Sequence, residues 1–462
     1  MDKKGGGRDM TQGSLRGHIL RMTGMMLAAM VMQVAYSLVD IYWVARLGKE
    51  AVAAVAIASN LNFVTIAISQ MIGVGTVALI SQAAGRKEEA AVQRNFNQAQ
   101  CLSMIAGVIF LVAMTALAGT YSDGFASDAT TAALGREFLA WFVPALALQF
   151  CMIGIGSALR GIGDMKPGLI AQGGSVVLNM ILAPFLIFGW LGAPKLGVAG
   201  AALATFIATL AAVIGLAIYL KRPGTYFRVR FADWKPDYAL WRRMLGIGLP
   251  AGTEFGLMAM LMLVIYAIIR GFGAEAQAGF GIGMRIMQAG FMPAVCLSFA
   301  VAAVAGQNFG AKLAGRVRET FVEGAKLNVA FMALFTVLCH IAPAGLMQVF
   351  SKDPAVVEVG ATYLRVISYN YIAFGLIVVS GGMFQGMGNT WPSLIASLTR
   401  VGAFIAIALW MVRQPDFTLV DLWWVSVASV GLQMTLSLLL LRREFGRRLG
   451  SMDAIAALQP ST

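Results

Sequence analysis

Residues 24–48 read GMMLAAMVMQVAYSLVDIYWVARLG. The run is long enough to cross a bilayer, because about 20 apolar residues span the ~30 Å hydrocarbon layer. Yet it carries an acid, Asp40. Gln33, Tyr36 and Asp40 are spaced i, i+3, i+7 and so share one helical face, while Met, Ala, Leu and Val fill the others. A carboxylate in hydrocarbon costs at least ~2.5 kcal/mol on insertion scales, which makes Asp40 a functional candidate. The bland alternative is an interfacial carboxylate reaching toward water or Arg46.

The rest of the chain is of the same kind. Hydrophobic residues make up 59% of its 462 positions and charged residues 12%, and mean hydropathy is +0.76. That composition belongs to a polytopic membrane protein rather than to a set of soluble domains. Twelve spans are expected, near residues 22–45, 51–81, 98–119, 132–158, 168–190 and 196–220, then 244–269, 276–306, 324–347, 358–384, 393–412 and 418–441. The expected domains are an N-tail 1–21, an N-lobe 22–220, an inter-lobe loop 221–243, a C-lobe 244–441 and a C-tail 442–462. With the N-tail inside, the inner segments hold 25 of the 35 Lys and Arg residues and the outer loops hold seven. This bias supports an even span count, cytoplasmic termini and a multi-pass chain of the cell (inner) membrane. The net charge of +13 is then topological, with no nucleic-acid partner expected. The inter-lobe loop, KRPGTYFRVRFADWKPDYALWRR, reads as a solvated linker or as an element touching anionic headgroups.

Several function classes fall away. Cys101, Cys151, Cys296 and Cys339 lie in apolar runs without CxxC spacing, as packing cysteines do. His18 and His340 are too far apart to suggest a metal site. The basic N-terminus runs into a full-length span without a cleavage pattern, as a retained tail does. No GxxxxGK[ST] loop and no catalytic constellation is present, so neither an ATP-driven pump nor an enzyme is expected, and no cofactor.

The two halves repeat. Gly48 and Gly273, Gln82 and Gln307, Gly85 and Gly310, Gly161 and Gly386, and Pro167 and Pro392 all stand 225 positions apart. Asp128/Asp353, Gly135/Gly360 and Leu139/Leu364 keep the same offset. LGKEAVAAVAI thus matches FGAEAQAGFGI, and LRGIGDMKP matches FQGMGNTWP. Six spans per half give both halves one orientation, related by an axis along the membrane normal, which is transporter architecture.

VDIYWVARLGKEAVAAVAIA, GVGTVALISQAAGR, ALRGIGDMKP and GLPAGTEFGL, in this order, resemble segments of the multidrug and toxic compound extrusion (MATE) family. The likeness runs from about Met22 to Leu441. It implies an all-α fold of 12 transmembrane helices in two six-helix repeats, arranged as a V-shaped two-lobe transporter. The implied activity is multidrug efflux, and so antibiotic resistance, by antiport against H+ or Na+. The partners would be small-molecule drugs or toxins and the lipid bilayer, with the chain expected to be a monomer. Asp40 occupies the first-helix acid position of the DinF-type branch, which the chain resembles more than the NorM-type branch. Asn179 in NMILAPFLIFG and Thr205 in GVAGAALAT match that branch's asparagine and threonine, with the Ala201 carbonyl nearby. The second acid of this cluster is replaced by Ala183, which weakens a Na+ site at Asp40, Asn179 and Thr205, since hard cations want several oxygen ligands. Many members carry a proline early in the first helix where this chain has Met25, and the repeat counterpart is Pro250. Glu254 matches the seventh-helix acid of the NorM-type branch, whose tenth-helix acid is absent here.

Depth is readable without the family. Glu254 lies 11 residues, ~16 Å of helix, from Arg243, near the midplane. Asp40 lies about 9 Å from Arg46, in the outer third, and Asn179 reaches a similar depth counted from Lys166. The expected ion-coupling residues are Asp40, Glu254, Asn179 and Thr205. The expected substrate cavity is lined by Gln33, Tyr36, Met258 and Arg285. The alternative for Glu254 is a structural hydrogen bond, or an ion pair with Arg285 or Arg400. The competing functions are a flippase for a lipid-linked or polysaccharide substrate and, in another class, a channel or receptor. The former usually needs more basic residues in its spans than Arg285, Arg365 and Arg400.

Overall fold

The computed structural model describes residues 7–126, 128–192, 194–222, 225–230 and 234–457. The first residues of the expected N-tail, parts of the inter-lobe loop and the last residues of the C-tail lie outside that set. Fourteen α-helices follow in order: α1 Leu15–Ala45, α2 Lys49–Gly85, α3 Glu89–Phe125, α4 Ala129–Gly161, α5 Lys166–Phe188, α6 Gly197–Lys221, α7 Tyr238–Ile269, α8 Ala274–Gly310, α9 Ala314–Ile341, α10 Pro343–Gln348, α11 Pro354–Ile367, α12 Asn370–Met387, α13 Trp391–Met411 and α14 Leu419–Ala457. Twelve of them are long and apolar enough to cross a membrane, and no strand occurs among the described residues.

The repeat is visible in the backbone. The bounds of α2 and α8 coincide at the 225 offset, as do the starts of α3 and α9, α4 and α11, and α5 and α13. The turns before α2 and α8 need positive φ, at Gly48 (114°) and Gly273 (97°), a region open to glycine without a Cβ clash. Lys87 and Lys312 take φ of 60° and 61° at equivalent turns. Asp128 and Asp353 cap α4 and α11, accepting from the Thr131 amide at 2.8 Å and the Ala355 amide at 2.9 Å.

The halves differ where single spans were expected near 324–347 and 358–384. The second half interrupts both. Ala342 leaves the helical region because Pro343 follows it, whereas α3 carries Ala118 at the equivalent position and runs through. The other break falls at Ser368 and Tyr369. There the Ser368 hydroxyl donates to the Arg365 carbonyl at 2.8 Å, and Thr336 donates to the Ser368 carbonyl at 3.1 Å. Side chains thus stand in for intrahelical partners. The equivalent α4 stays continuous despite Pro144. α14 also continues in one piece through the expected C-tail boundary, where Glu444 accepts from Arg448 at 2.5 Å and from Asn389 at 2.9 Å.

The chain forms two compact units. One holds Gly24–Ala84 and Glu88–Gly248; the other holds Met10–Thr23, Gly85–Lys87 and the chain from Leu249. In the first unit, the described part of the inter-lobe loop is docked rather than free. Gln93 and Asn97 on α3 accept from the Arg228 and Arg230 amides at 2.9 and 3.2 Å, Gln98 bonds both Lys235 and Asp237, and Phe227 stacks on Phe96. The Leu240 amide and the Arg94 guanidinium hold the Asp237 carboxyl below the usual carboxylate range, where it starts α7. In the second unit, the Met10 amide donates to Gln307 at 2.9 Å, and its carbonyl accepts from Asn308 at 3.2 Å.

Within the first unit α2 and α7 touch backbone to backbone. A Cβ on Gly248 would lie 1.6 Å from the Met71 carbonyl oxygen, and one on Gly75 would lie 2.2 Å from that of Met244. Gly248→Val is therefore expected to destabilise the unit by about 1–3 kcal/mol through overpacking. It should lower the melting temperature in detergent, while Gly246→Ala, facing open space, should not.

Candidate functional site

α1 meets its neighbours through one face. Val31, Val34, Leu38 and Ile41 are exposed on the opposite side. On the inner side Gln33 accepts from Gln172 of α5 at 2.6 Å, and Tyr36 bonds Thr205 of α6 at 3.0 Å. Trp43 packs edge-on against Phe188 and Trp190 at the end of α5, with ring centroids 6.0 and 5.9 Å away. These three contacts fix the height and rotation of the helix.

Asn179 and Thr205 come together because α5 and α6 approach closely. A Cβ on Gly200 would fall 2.4 Å from the Leu186 carbonyl oxygen. Thr205 Oγ1 donates to the Ala201 carbonyl at 3.2 Å and accepts from Asn179 Nδ2 at 3.1 Å. Its one proton is thereby committed, so the Tyr36 hydroxyl is the donor in the remaining bond. Tyr36, Asn179, Thr205 and Ala201 thus form one hydrogen-bonded cluster in which Thr205 is saturated.

Asp40 sits one turn along the same face, between the Tyr36 and Trp43 contacts. Its Oδ1 is enclosed and has no hydrogen-bond partner. Arg46 does not reach it; the guanidinium bonds Tyr42 and lies 4.6 Å from the Tyr42 ring centroid and 5.1 Å from that of Trp43. Ala183 is fully buried in an apolar cluster with Ile187 and Ala201, so no second carboxylate joins Asp40 from that position.

Below this cluster lies a cavity of about 50 Å³, lined by Gln33, Tyr36, Asn179 and Thr205 together with Gln149, Gln172, Ser175 and Thr209. The last four were missed in the sequence. Gln172, Ser175 and Asn179 repeat the i, i+3, i+7 spacing of α1 and were detectable by that signal. Gln149 Oε1 is enclosed and unpartnered.

Glu254, in the second unit, is half-buried. Ser397 of α13 donates to its Oε1 at 3.4 Å, Gln433 of α14 donates to Ser397 at 3.0 Å, and Arg400 donates to Gln433 at 3.2 Å. Among the described residues Glu254 forms no ion pair. Arg400 stands at the far end of this chain, and Arg285 is exposed. Met258 lines a cavity of about 70 Å³ bounded by α7, α8, α11, α12, α13 and α14, which Glu254 does not line. Ser397 and Gln433 were not anticipated; Ser393, Ser397 and Arg400 at i, i+4, i+7 were the available signal.

Twelve membrane-length helices in two repeated units, each enclosing a cavity with buried polar groups, define a repeat-built membrane transporter. The family model MatE matches residues 26–185 and 250–410, one match in each repeat, and the chain belongs to that family. The probable multidrug resistance protein YoeA of Bacillus subtilis is 27% identical over 410 residues, covering 86% of this chain and 87% of its own length. A protein of Shewanella oneidensis named FAD transporter is 25% identical over 374 residues, covering 79% and 81%. A solved outward-facing multidrug-resistance MATE transporter of the MOP superfamily shares the fold, with a TM-score of 0.86, 21% identity and coverage of 95% and 97%.

Thr205 is the hub of the first cavity. Thr205→Val would leave the buried Asn179 amide without its acceptor, at a cost of about 1–3 kcal/mol. The expected outcome is a lower melting temperature and weakened substrate flux, both restored by Thr205→Ser.

Proposed function

We propose that the chain is a secondary active multidrug exporter that moves amphipathic or cationic compounds outward in exchange for H+, in preference to Na+, by alternating access. The observation that carries this reading is the Asp40 carboxyl, with an oxygen enclosed and lacking a donor, one turn from the hydrogen-bonded Tyr36–Thr205–Asn179 cluster. A carboxylate withdrawn from water without hydrogen bonds is unfavourable. A proton or a cation at that oxygen removes the penalty, so occupancy and conformation are linked. Coupling of this kind is no larger than the ion's differential affinity for the two access states.

Sodium would need several oxygens around it. Of the expected set, Asp40, Asn179 and Thr205, the Thr205 hydroxyl is already committed to Ala201, Asn179 and Tyr36, and the buried Ala183 removes the family's second carboxylate. That favours the proton. Glu254, hydrogen-bonded by Ser397, is the second titrating carboxyl in this reading. The same reading takes the DinF-type branch, cytoplasmic termini and a monomer in the cell membrane. The names of the relatives, a multidrug resistance protein and a FAD transporter, support small organic substrates of more than one kind.

Substrate flux in reconstituted vesicles under separately imposed proton and sodium gradients tests the proposal. The expected result is efflux driven by the proton gradient alone, reduced at least about 10-fold in Asp40→Asn/Glu254→Gln, equal to a barrier raised by about 1.4 kcal/mol or more. Efflux driven by sodium alone would overturn the proton. Normal gradient-driven export by a folded double variant would overturn the carboxylate mechanism.

A further inference from the structure

The two cavities are repeat mates with opposite chemistry. At the 225 offset, Gln33, Tyr36, Gln149, Asn179 and Thr205 of the first correspond to Met258, Leu261, Phe374, Phe404 and Val430, which all line the second. The polar lining of one position set has become methionine, aromatic and aliphatic in the other. Asp40 corresponds to Ile265, so the second cavity has no acid where the first unit has one. The charge reappears with the other sign: Ser175 corresponds to Arg400.

Arg400 lacks a counter-ion. Its Nη1 donates to the Gln433 amide oxygen, its Nε is enclosed with no acceptor, and among the described residues it forms no salt bridge. An intramembrane cation of this kind costs several kcal/mol unless it is paired. A second polar group faces the same space. Asn370, 4% exposed, has an unpartnered Oδ1, and its Nδ2 reaches Ser426 only at 3.5 Å. Around these groups stand flat and pliable walls. Phe280 stacks on Trp423 with centroids 5.5 Å apart, Phe291 lies 4.1 Å from Phe374, and the Tyr363 hydroxyl rests on the Met287 sulfur at 3.0 Å.

We infer that the second cavity is a binding subsite for an amphipathic anion, whose acidic group pairs with Arg400 and whose apolar body, aromatic or acyl, lies among Phe280, Trp423, Phe291 and Phe374. The inference deepens the exporter reading and rests on it for the direction of transport. It adds a substrate class, since the proposed cationic compounds meet no acid in the lining of this cavity. The empty space of about 70 Å³ is smaller than a ring and its acidic group together require, so Met258, Met284 and Met287 must change rotamer on binding, as thioether side chains readily do. The anion has two possible sources, a soluble aromatic acid or the phosphate of a lipid.

Equilibrium binding to the purified full-length protein in nonionic detergent decides the matter. The probes are 2-naphthalenesulfonate, its cationic analogue 2-naphthyltrimethylammonium, and dioctanoyl phosphatidate. An Arg400-dependent anion should bind the wild type at least about 10-fold more tightly than Arg400→Gln, equal to about 1.4 kcal/mol. Arg400→Lys should fall between them, because it keeps the charge without the planar fork. It also provides the reading if Arg400→Gln does not fold. The cation's affinity should not change. Arg400-dependent binding of the naphthalenesulfonate identifies a soluble acid as the ligand, and such binding of the phosphatidate alone identifies a lipid phosphate. Equal binding of both anions to wild type and variants, or no binding of either, overturns the inference. Flux does not enter this measurement. Anion binding without export would therefore count against the exporter reading alone, and cation export without anion binding against this inference alone.

Discussion

A polar side chain withdrawn from water has to find a partner, and inside a bundle of apolar helices the supply of partners is short. Most of the inner-face contacts of α1 follow from that. Gln33 reaches Gln172, Tyr36 reaches Thr205, and Thr205 in turn uses every hydrogen-bonding position it has on Tyr36, Asn179 and Ala201. The apolar contacts of α1 would tolerate rotation or a slide along its axis; these bonds would not. The helix is thus registered by its polar residues. Of the buried groups that stay unpartnered, Asp40 Oδ1 and Arg400 Nε are the two informative exceptions, being charged and set within spans.

The two exceptions belong to two copies of one architecture. Helix starts, positive-φ turns and aspartate caps recur at a single offset, so the backbone has been kept while the cavity contents diverged. Divergence has a mechanical side as well. The first unit keeps α3 and α4 unbroken, whereas the second breaks both equivalents, at Ala342 and at Ser368–Tyr369. His340, two residues before the first break, bonds the Thr336 carbonyl at 2.9 Å and reaches Ser368 at the second break at 3.2 Å. The second cavity, lined by Ile367 and Asn370 on either side of one break, therefore borders on a discontinuity that the first lacks.

How much of this was legible in the sequence depended on the kind of signal. Span count and the repeat were legible because apolar length and a constant offset are properties of the chain itself. Asp40 stood out as an acid in an apolar run, Asn179 and Thr205 only through the family resemblance, and the fold brings Asn179 and Thr205 into contact. The interruption at Ser368 was not legible, because it depends on Thr336 donating to a carbonyl from another helix, and no local pattern encodes that. Nor does a proline by itself encode a break, since α4 carries Pro144 and stays continuous. The inter-lobe loop looked solvated by its charge, yet the carboxamides of Gln93, Asn97 and Gln98 bind its backbone. Charge gives an expectation of the membrane side on which that loop lies but nothing of what its peptide groups bond. Arg400 was visible as a charge within a span, but its lack of a counter-ion required knowing where every acid nearby had gone.

The contents of the two cavities also bear on how ion and substrate would share the molecule. With Ala183 buried among apolar side chains, Asp40 is the acid of the first-unit cluster, and one carboxylate is neutralised by one unit of positive charge. Glu254 lies outside the second cavity but is tied to it through Ser397, Gln433 and Arg400. Each link in that series is polar and its members are shared: Ser397 donates to Glu254 while accepting from Gln433, and Gln433 accepts from Arg400. An anion drawing on Arg400 would compete with the Gln433 oxygen for the guanidinium, loosening the amide that orients the Ser397 hydroxyl toward Glu254. The stability of the Glu254 carboxylate would then depend on whether the cavity is filled. In the proposed exchange this is the physical route by which a ligand in the second unit senses, and is sensed by, a titrating acid that it does not touch.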